Sequence, residues 1–336
     1  MTDAAASPLR VGLFGLGRSG LYLIEHFAAG GPFRIVAAWA DPIVGEVVSP
    51  FGVRLVNDPQ ELLAATDVDA IWFADHDSVG NDVALPDVLS TKHTILETPI
   101  GLTPAVLDRS FSSALKRGRQ LLVRHPRRWD SEYCQALSVA QDQSSGSIRS
   151  AKLTSWTYAI PPRGATRESG PLPRDVSDDA QVANVRFAAH ALDQLVLLIG
   201  DRPLRVFANG DTNACEFPDL FAGFSLSLQI HFERGCRAEI DIRLDSPTQF
   251  QSGWMLTAER GGYSNGRRFT LTEEGEVFDS PVPLAIEDKA ASEFESLAQQ
   301  IRSGGRDLAE EARVRTVVAL LDAAQRSIES QQAVDL

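Results

Sequence analysis

Gly15-Leu16-Gly17-Arg18-Ser19-Gly20 closes a short apolar run, Leu9-Arg10-Val11-Gly12-Leu13-Phe14. It opens a segment of helical period in which Leu21, Ile24 and Phe27-Ala28 share a face. A second apolar run, Phe33 to Ala40, ends on Asp41, 21 residues after Gly20. Strand, glycine turn, helix, strand and acid in this order form the pattern of a dinucleotide-binding unit. Gly15 permits the tight turn, and Gly17 lets the backbone approach a pyrophosphate whose charge rests on a helix N-terminus. Gly20 lets the helix lie close on the strand, and Arg18 and Ser19 fall within the same expected cofactor contact. Asp41 can accept hydrogen bonds from a ribose diol. Its carboxylate repels a 2′-phosphate, and no Arg or Lys follows in Asp41-Pro42-Ile43-Val44-Gly45, so NAD is expected rather than NADP.

Outward from this turn, the first 125 residues alternate strand and helix. Val53–Val56 reads as a strand, and Asp58-Pro59-Gln60-Glu61 as a helix start, with Asp at the N-cap and Pro at the first helical position. Asp69–Ala74 is expected as a buried strand with a helix near Asn81–Ser90 after it. His93–Glu97, a helix over Pro104–Arg117 and the strand Gln120–Val123 follow. This order predicts a doubly wound, mostly parallel sheet.

Beyond residue 126 the pattern changes. A helix over Ser131–Val139 precedes strand-like stretches at Ile148–Tyr158, Leu204–Ala208, Phe224–Phe232, Cys236–Leu244, Trp254–Ala258 and Arg268–Thr272. Successive strands with few helices between them imply an antiparallel sheet. A helix over Phe187–Ile199 interrupts them, and helices over Ala290–Arg302 and Leu308–Gln331 close the chain. Ile160–Val182, rich in Pro, Gly, Arg and Asp, reads as a long loop. The predicted division is a dinucleotide-binding domain over 1–125 and a second α/β domain over 126–336, closing helices included.

Composition narrows the partners. With 336 residues, two domains are expected. A formal net charge of −13 disfavours nucleic acid and anionic membrane, since both attract positive fields. Cys134, Cys215 and Cys236, odd in number and widely spaced, suggest a reducing compartment. No apolar run is long enough to span a bilayer, and Met1–Pro8 lacks the basic start of a signal peptide, so a cytoplasmic location is expected. His76, His93 and His125 lack metal-ligand spacing, and no metal is expected.

The chain resembles the glucose-fructose oxidoreductase, inositol dehydrogenase and Gfo/Idh/MocA family. The resemblance runs through the glycine turn and Asp41, Asn57–Leu63, Asp67–Ile71, Lys92–Pro99, His190–Leu195 with Leu198-Ile199-Gly200, and the closing helices. It implies a Rossmann domain followed by an open, mostly antiparallel sheet domain. It further implies NAD(P)-dependent oxidation or reduction of a sugar, polyol or related carbonyl held between the domains, and a homodimer or homotetramer formed through the second sheet. By this resemblance Ala74, Glu97 and Thr98 lie at the cofactor.

Three departures bear on the chemistry the resemblance implies. Thr98 stands where the family carries a lysine; a hydroxyl can position a water or substrate hydroxyl but supplies no ammonium beside a developing alkoxide. Arg186 stands four residues before His190, where the family often has Asp, and would lower the histidine's pKa. Asp75 replaces part of a Thr-Pro pair beside the cofactor. His190 remains, one helical turn before Asp193, and two readings stay open: a cleft histidine acting as base on a substrate hydroxyl, or a hydrogen-bonded histidine at a domain interface. Arg128, in Arg127-Arg128-Trp129, and Arg186 are candidate substrate ligands along with Asp193, and together with Arg163, Arg167 and Arg174 they suggest an anionic substrate. The expected activity is a hydride-transferring oxidoreductase with His190 and Thr98 as catalytic residues. The alternative is a catalytically weak cofactor-binding sensor.

Overall fold

The computed structural model of the protein describes residues 7–39, 49–74, 84–98, 102–156, 188–211, 225–243, 253–284 and 289–336. β1 (Leu9–Phe14) leads into α1 (Arg18–Ala28) and β2 (Phe33–Trp39). β3 (Arg54–Val56), α2 (Pro59–Ala64), β4 (Ala70–Phe73), α3 (Ala84–Thr91), β5 (His93–Glu97), α4 (Pro104–Lys116) and β6 (Leu121–Arg124) continue the alternation. Among the described residues, six strands form one sheet in the order β3-β2-β1-β4-β5-β6, and every neighbouring pair is parallel. This is the strand order of a Rossmann sheet, whose direction of winding reverses between β1 and β4. β4 and β6 are buried along their whole length, and β4 accordingly reads as an unbroken apolar run, while β6 is apolar up to Arg124. Two helix starts follow from capping. Asp58 accepts from the Gln60 N–H at 2.8 Å, and Thr103 accepts from the Val106 N–H, each with Pro at the next position.

The chain then forms α5 (Ser131–Ala140), β7 (Ile148–Trp156), α6 (Ala189–Ile199), β8 (Pro203–Asp211), β9 (Ser225–Phe232), β10 (Arg237–Arg243), β11 (Gly253–Ala258), β12 (Gly261–Ser264), β13 (Arg267–Leu271) and β14 (Val277–Pro281). α7 (Lys289–Ser303), α8 (Leu308–Ser330) and β15 (Val334–Asp335) complete it. Among the described residues, a nine-stranded sheet runs β14-β13-β12-β11-β7-β10-β9-β8-β15. Its pairs are antiparallel except β7 with β10, so the sheet is mostly antiparallel, as expected. Burial alternates along β9 and β10. Leu226, Leu228, Ile230, Ile240 and Ile242 face a core completed by Tyr133 and Ala136 of α5, Leu192 and Leu195 of α6, and Val317 and Leu320 of α8. β12, β14 and β15 have no counterpart in the sequence reading. β12 opens with two glycines, β14 is exposed at every position, and β15 is two residues long, so none carries an apolar alternation.

The chain divides into two compact units, 1–126 with 288–311, and 127–287 with 312–336. The first division falls close to the expected boundary, but the closing helices do not all belong to the second unit. α7 rejoins the first, because it brings Phe294, Leu297, Ala298 and Ile301 into the core of Leu13, Leu23, Phe27, Phe33 and Trp72. Phe294 stacks edge-on to Phe27 with ring centroids 4.8 Å apart. Such a helix, separated by more than 160 residues from the strands it covers, carries no local signal of its destination.

Candidate functional site

In the first unit the site is the turn between β1 and α1. Gly15 has φ = 87°, a left-handed conformation that a side chain would strain, and its N–H donates to the Trp39 carbonyl at 3.0 Å. A Cβ on Gly20 would lie 2.7 Å from the Gly15 carbonyl oxygen, so this glycine is what lets α1 start against the turn. Gly17 is the N-cap, and the first turn of α1 contains no acidic residue. The first N–H groups of a helix have no partner within it, so the residues Arg18, Ser19 and Gly20 present donors at a positive dipole end. Ala74 is buried, and its N–H donates to the Phe14 carbonyl at 3.0 Å, which fixes it beside the turn at the end of β4. A glycine-crowded turn, backbone donors and a first turn of α1 without an acidic residue fit a pyrophosphate. Asp41 and Asp75 lie outside the described residues.

At the end of β5 the side chains turn inward. The Glu97 carboxylate accepts from the Trp72 indole N–H at 2.8 Å and from Arg124 at 3.2 Å. The Arg124 guanidinium also donates to Glu293 of α7 at 2.9 Å and lies over the Phe294 ring. All three charged side chains are less than a tenth exposed. Burial pushes the Glu97 carboxyl above its ordinary range, and Arg124 pulls it back. The Thr98 hydroxyl, expected to position a substrate group, donates to the Arg124 carbonyl at 2.5 Å and stands 3.2 Å from His125 Nδ1. The sequence reading did not single out Arg124. A lone arginine ending the apolar run Leu121-Leu122-Val123 was the available signal, because a charge in that place needs a buried partner.

The second unit holds a pocket of about 290 Å³, lined among others by Arg127, Glu132, Thr154, Ser155, His190, Gln194 and Trp254. His190 is the second residue of α6. One turn on, Asp193 accepts from Arg128 through both oxygens, at 2.7 and 2.6 Å, and is 2% exposed. The two residues expected to hold substrate are thus paired with each other, a bidentate clamp that joins the segment before α5 to α6. The Gln194 carboxamide accepts from the Trp254 indole N–H at 2.9 Å and donates to the Arg127 carbonyl at 2.5 Å. Glu132 accepts from the Trp254 backbone N–H at 2.8 Å, and burial raises its carboxyl pKa. Glu132, Gln194 and Trp254 were not singled out from the sequence; 60 or more residues separate the partners, and no spacing rule joins them. The Trp156 ring takes the Arg243 guanidinium at 4.6 Å. Arg186, and the loop containing Arg163, Arg167 and Arg174, lie outside the described residues. Among the described residues, no helix is long and apolar enough to cross a membrane.

Residues 9–125 match the model of an oxidoreductase family with an NAD-binding Rossmann fold. The chain is similar to the myo-inositol 2-dehydrogenase of Thermotoga maritima, 23% identical over 205 residues that make up 60% of this chain and 58% of that enzyme. The match therefore spans less than two thirds of the curated relative's length. In fold it is similar to biliverdin reductase from Synechocystis sp. PCC 6803 in complex with biliverdin and NADP+, with a TM-score of 0.78 and 17% identity over 96% of this chain and 100% of that one. It is also similar to GenD2 from gentamicin A biosynthesis in complex with NAD, with a TM-score of 0.76 and 17% identity over 98% and 97% of the two chains.

Proposed function

We propose that the chain is a divergent member of the Gfo/Idh/MocA oxidoreductase family and an NAD-dependent dehydrogenase or reductase of a sugar, polyol or related carbonyl; the family match of residues 9–125 and the similarity to a myo-inositol 2-dehydrogenase support this reading. The observation that carries this reading is the turn at Gly15–Gly20, where Gly15 is left-handed and a Cβ on Gly20 would meet the Gly15 carbonyl oxygen at 2.7 Å, so that α1 starts close against the turn. The similarity to a myo-inositol 2-dehydrogenase supports the substrate class. Fold neighbours hold either NAD or NADP+, and the sequence position of Asp41 is the reason to prefer NAD, since in this motif a carboxylate there accepts from the ribose diol and repels a 2′-phosphate.

A bound nicotinamide supplies the hydride acceptor or donor. The chain's own groups do the rest. The His190 imidazole would take the proton of a substrate hydroxyl as general base. The Arg128–Asp193 clamp fixes the first turns of α6, and so the backbone that carries His190. Thr98, whose proton is committed to the Arg124 carbonyl, offers a lone pair and acts as acceptor. Self-association through the open face of the second sheet belongs to the same proposal. That face carries Phe207, Gln229, Glu239, Lys152 and Met255 side by side across four strand pairings, and Phe207 and Met255 are exposed.

Fluorescence titration with NADH and NADPH, then an absorbance screen of polyols, sugars and their oxidised forms, tests the reading. NADH is expected to bind more tightly than NADPH, and His190→Ala to remove turnover while leaving NADH binding intact. Tight binding without turnover across the panel would overturn the enzyme assignment, and no binding of either nucleotide would overturn the whole proposal.

A further inference from the structure

Besides His190, the pocket of the second unit contains a carboxylate that hydride transfer does not need. Glu132, at the second position of α5, lines the pocket and directs one oxygen to the Trp254 backbone N–H at 2.8 Å. The site is shaped around it. A Cβ on Gly253 would stand 3.0 Å from that oxygen and 3.2 Å from the carboxyl carbon, so glycine at the start of β11 is what admits the group. The groups that favour its ionised form, the Trp254 N–H and the Tyr263 hydroxyl, are neutral, and a second carboxylate, Asp130, opposes its ionisation as burial does.

The cations nearby in sequence are turned elsewhere. Arg128 is clamped to Asp193. Arg127 is 63% exposed and lies 3.8 Å from Asp130. The described lining therefore sets Glu132 and Asp130 against Arg127 and the titratable His190, and among the described residues no ion pair reaches Glu132. A buried carboxylate is costly without one, and a ligand that brings a cation into hydrogen-bond reach gains what the apo pocket lacks. A carboxylate or phosphate ligand would meet repulsion. A purely hydroxylated one can satisfy Thr154, Ser155 and Gln194 but leaves Glu132 uncompensated.

We propose that this pocket selects a substrate bearing a protonated amine beside its hydroxyls, an amino-polyol or aminosugar, and that Glu132 is the specificity-determining residue that receives the ammonium. The proposal rests on the reading of the pocket around His190 as the substrate site, and it reverses the anionic substrate suggested by the arginines of the sequence.

Binding to the full chain, with and without NAD+, tests it through the indole ¹H–¹⁵N signal of Trp254, assigned with Trp254→Phe. The probes are 2-amino-2-deoxyglucose, glucose and glucuronate. The amine is expected to bind about tenfold or more tighter than glucose, as for hydrogen bonds to a charged group, and glucuronate more weakly than glucose. Glu132→Gln, which keeps an acceptor for the Trp254 N–H, should bring the amine to the affinity of glucose. Gly253→Ala, which displaces the carboxylate, should do the same. An amine bound no better than glucose, a preference that survives Glu132→Gln, or no response to any probe overturns the proposal. Because the readout is binding, selective amine recognition without turnover sinks the hydride-transfer reading and leaves this one standing. Turnover without amine preference does the reverse.

Discussion

The glycine turn of the first unit and the His190 pocket of the second are built from different material. The turn is backbone: one left-handed glycine, one glycine that a methyl group would drive into a carbonyl oxygen, and a helix start free of acid. The pocket is side chain: a carboxylate, a carboxamide and an indole held by groups distant in the chain, beside the His190 imidazole. A backbone site is broken by adding atoms, and a side-chain site by removing them. Beneath each lies an arginine, but the two are set differently. Arg124 sits between two carboxylates with none of the three more than a tenth exposed, whereas Arg128 reaches from a partly exposed position to a single buried aspartate.

The largest effect is therefore expected at Arg124. Arg124→Ala leaves Glu97 and Glu293 buried without their cation and should cost about 3–5 kcal/mol of unfolding free energy at pH 7. The pH dependence has a definite sign. Burial raises the Glu97 carboxyl in the folded protein, so its contribution is full below its ordinary value of 4.5 and is lost as the pH rises through the raised value. Removing Arg124, which opposes that rise, widens the window. The deficit of the variant, measured by urea unfolding, should shrink between pH 7 and pH 5. An equal deficit at both would mean that packing on Phe294, not charge, is what Arg124 supplies.

The second unit should show an asymmetry instead. Arg128→Ala strips the bidentate partner from an Asp193 that is 2% exposed and should cost about 3 kcal/mol. Asp193→Asn leaves a guanidinium that is 21% exposed and can turn to water, and should cost about 1 kcal/mol. If the clamp contributes only to stability, kcat per folded molecule is unchanged in both variants. If the clamp positions α6, Arg128→Ala lowers kcat more than it raises KM. Equal costs for the two substitutions would remove the distinction between the two arginines.

The same contrast explains what was readable in the sequence. Gly15, Gly17 and Gly20 act within six residues, Asp58 and Thr103 cap helices two or three residues away, and the doubly wound, parallel character of the first sheet follows from alternation. These are local rules. Arg124 and Glu293 are 169 residues apart, and Arg128 and Asp193 are 65 apart. Each was visible as a charge in an apolar or mixed run, but no spacing could name its partner. Arg128 and Asp193 were accordingly both assigned to substrate, although the fold gives them to one another. α7 failed for the same reason. Its apolar face was evident, but whether that face met Trp72 or the second sheet depended on a return of the chain that no window of sequence contains.

The smallest and sharpest effect tests the backbone nature of the turn. Gly20→Ala adds one methyl at 2.7 Å from the Gly15 carbonyl oxygen, inside any contact a real Cβ makes, so α1 must withdraw from the turn. Dinucleotide affinity should fall by about tenfold, or 1.4 kcal/mol. Ser19→Ala removes a hydroxyl from the same first turn of α1 but keeps its N–H, and should change the affinity by less than about threefold if donors of the main chain hold the pyrophosphate. The order of the two matters more than either value. Should Ser19→Ala prove the more damaging in an NADH titration, the hydroxyl and not the backbone is the ligand, and the first unit would then bind its cofactor with side chains, as the second unit is proposed to bind its substrate.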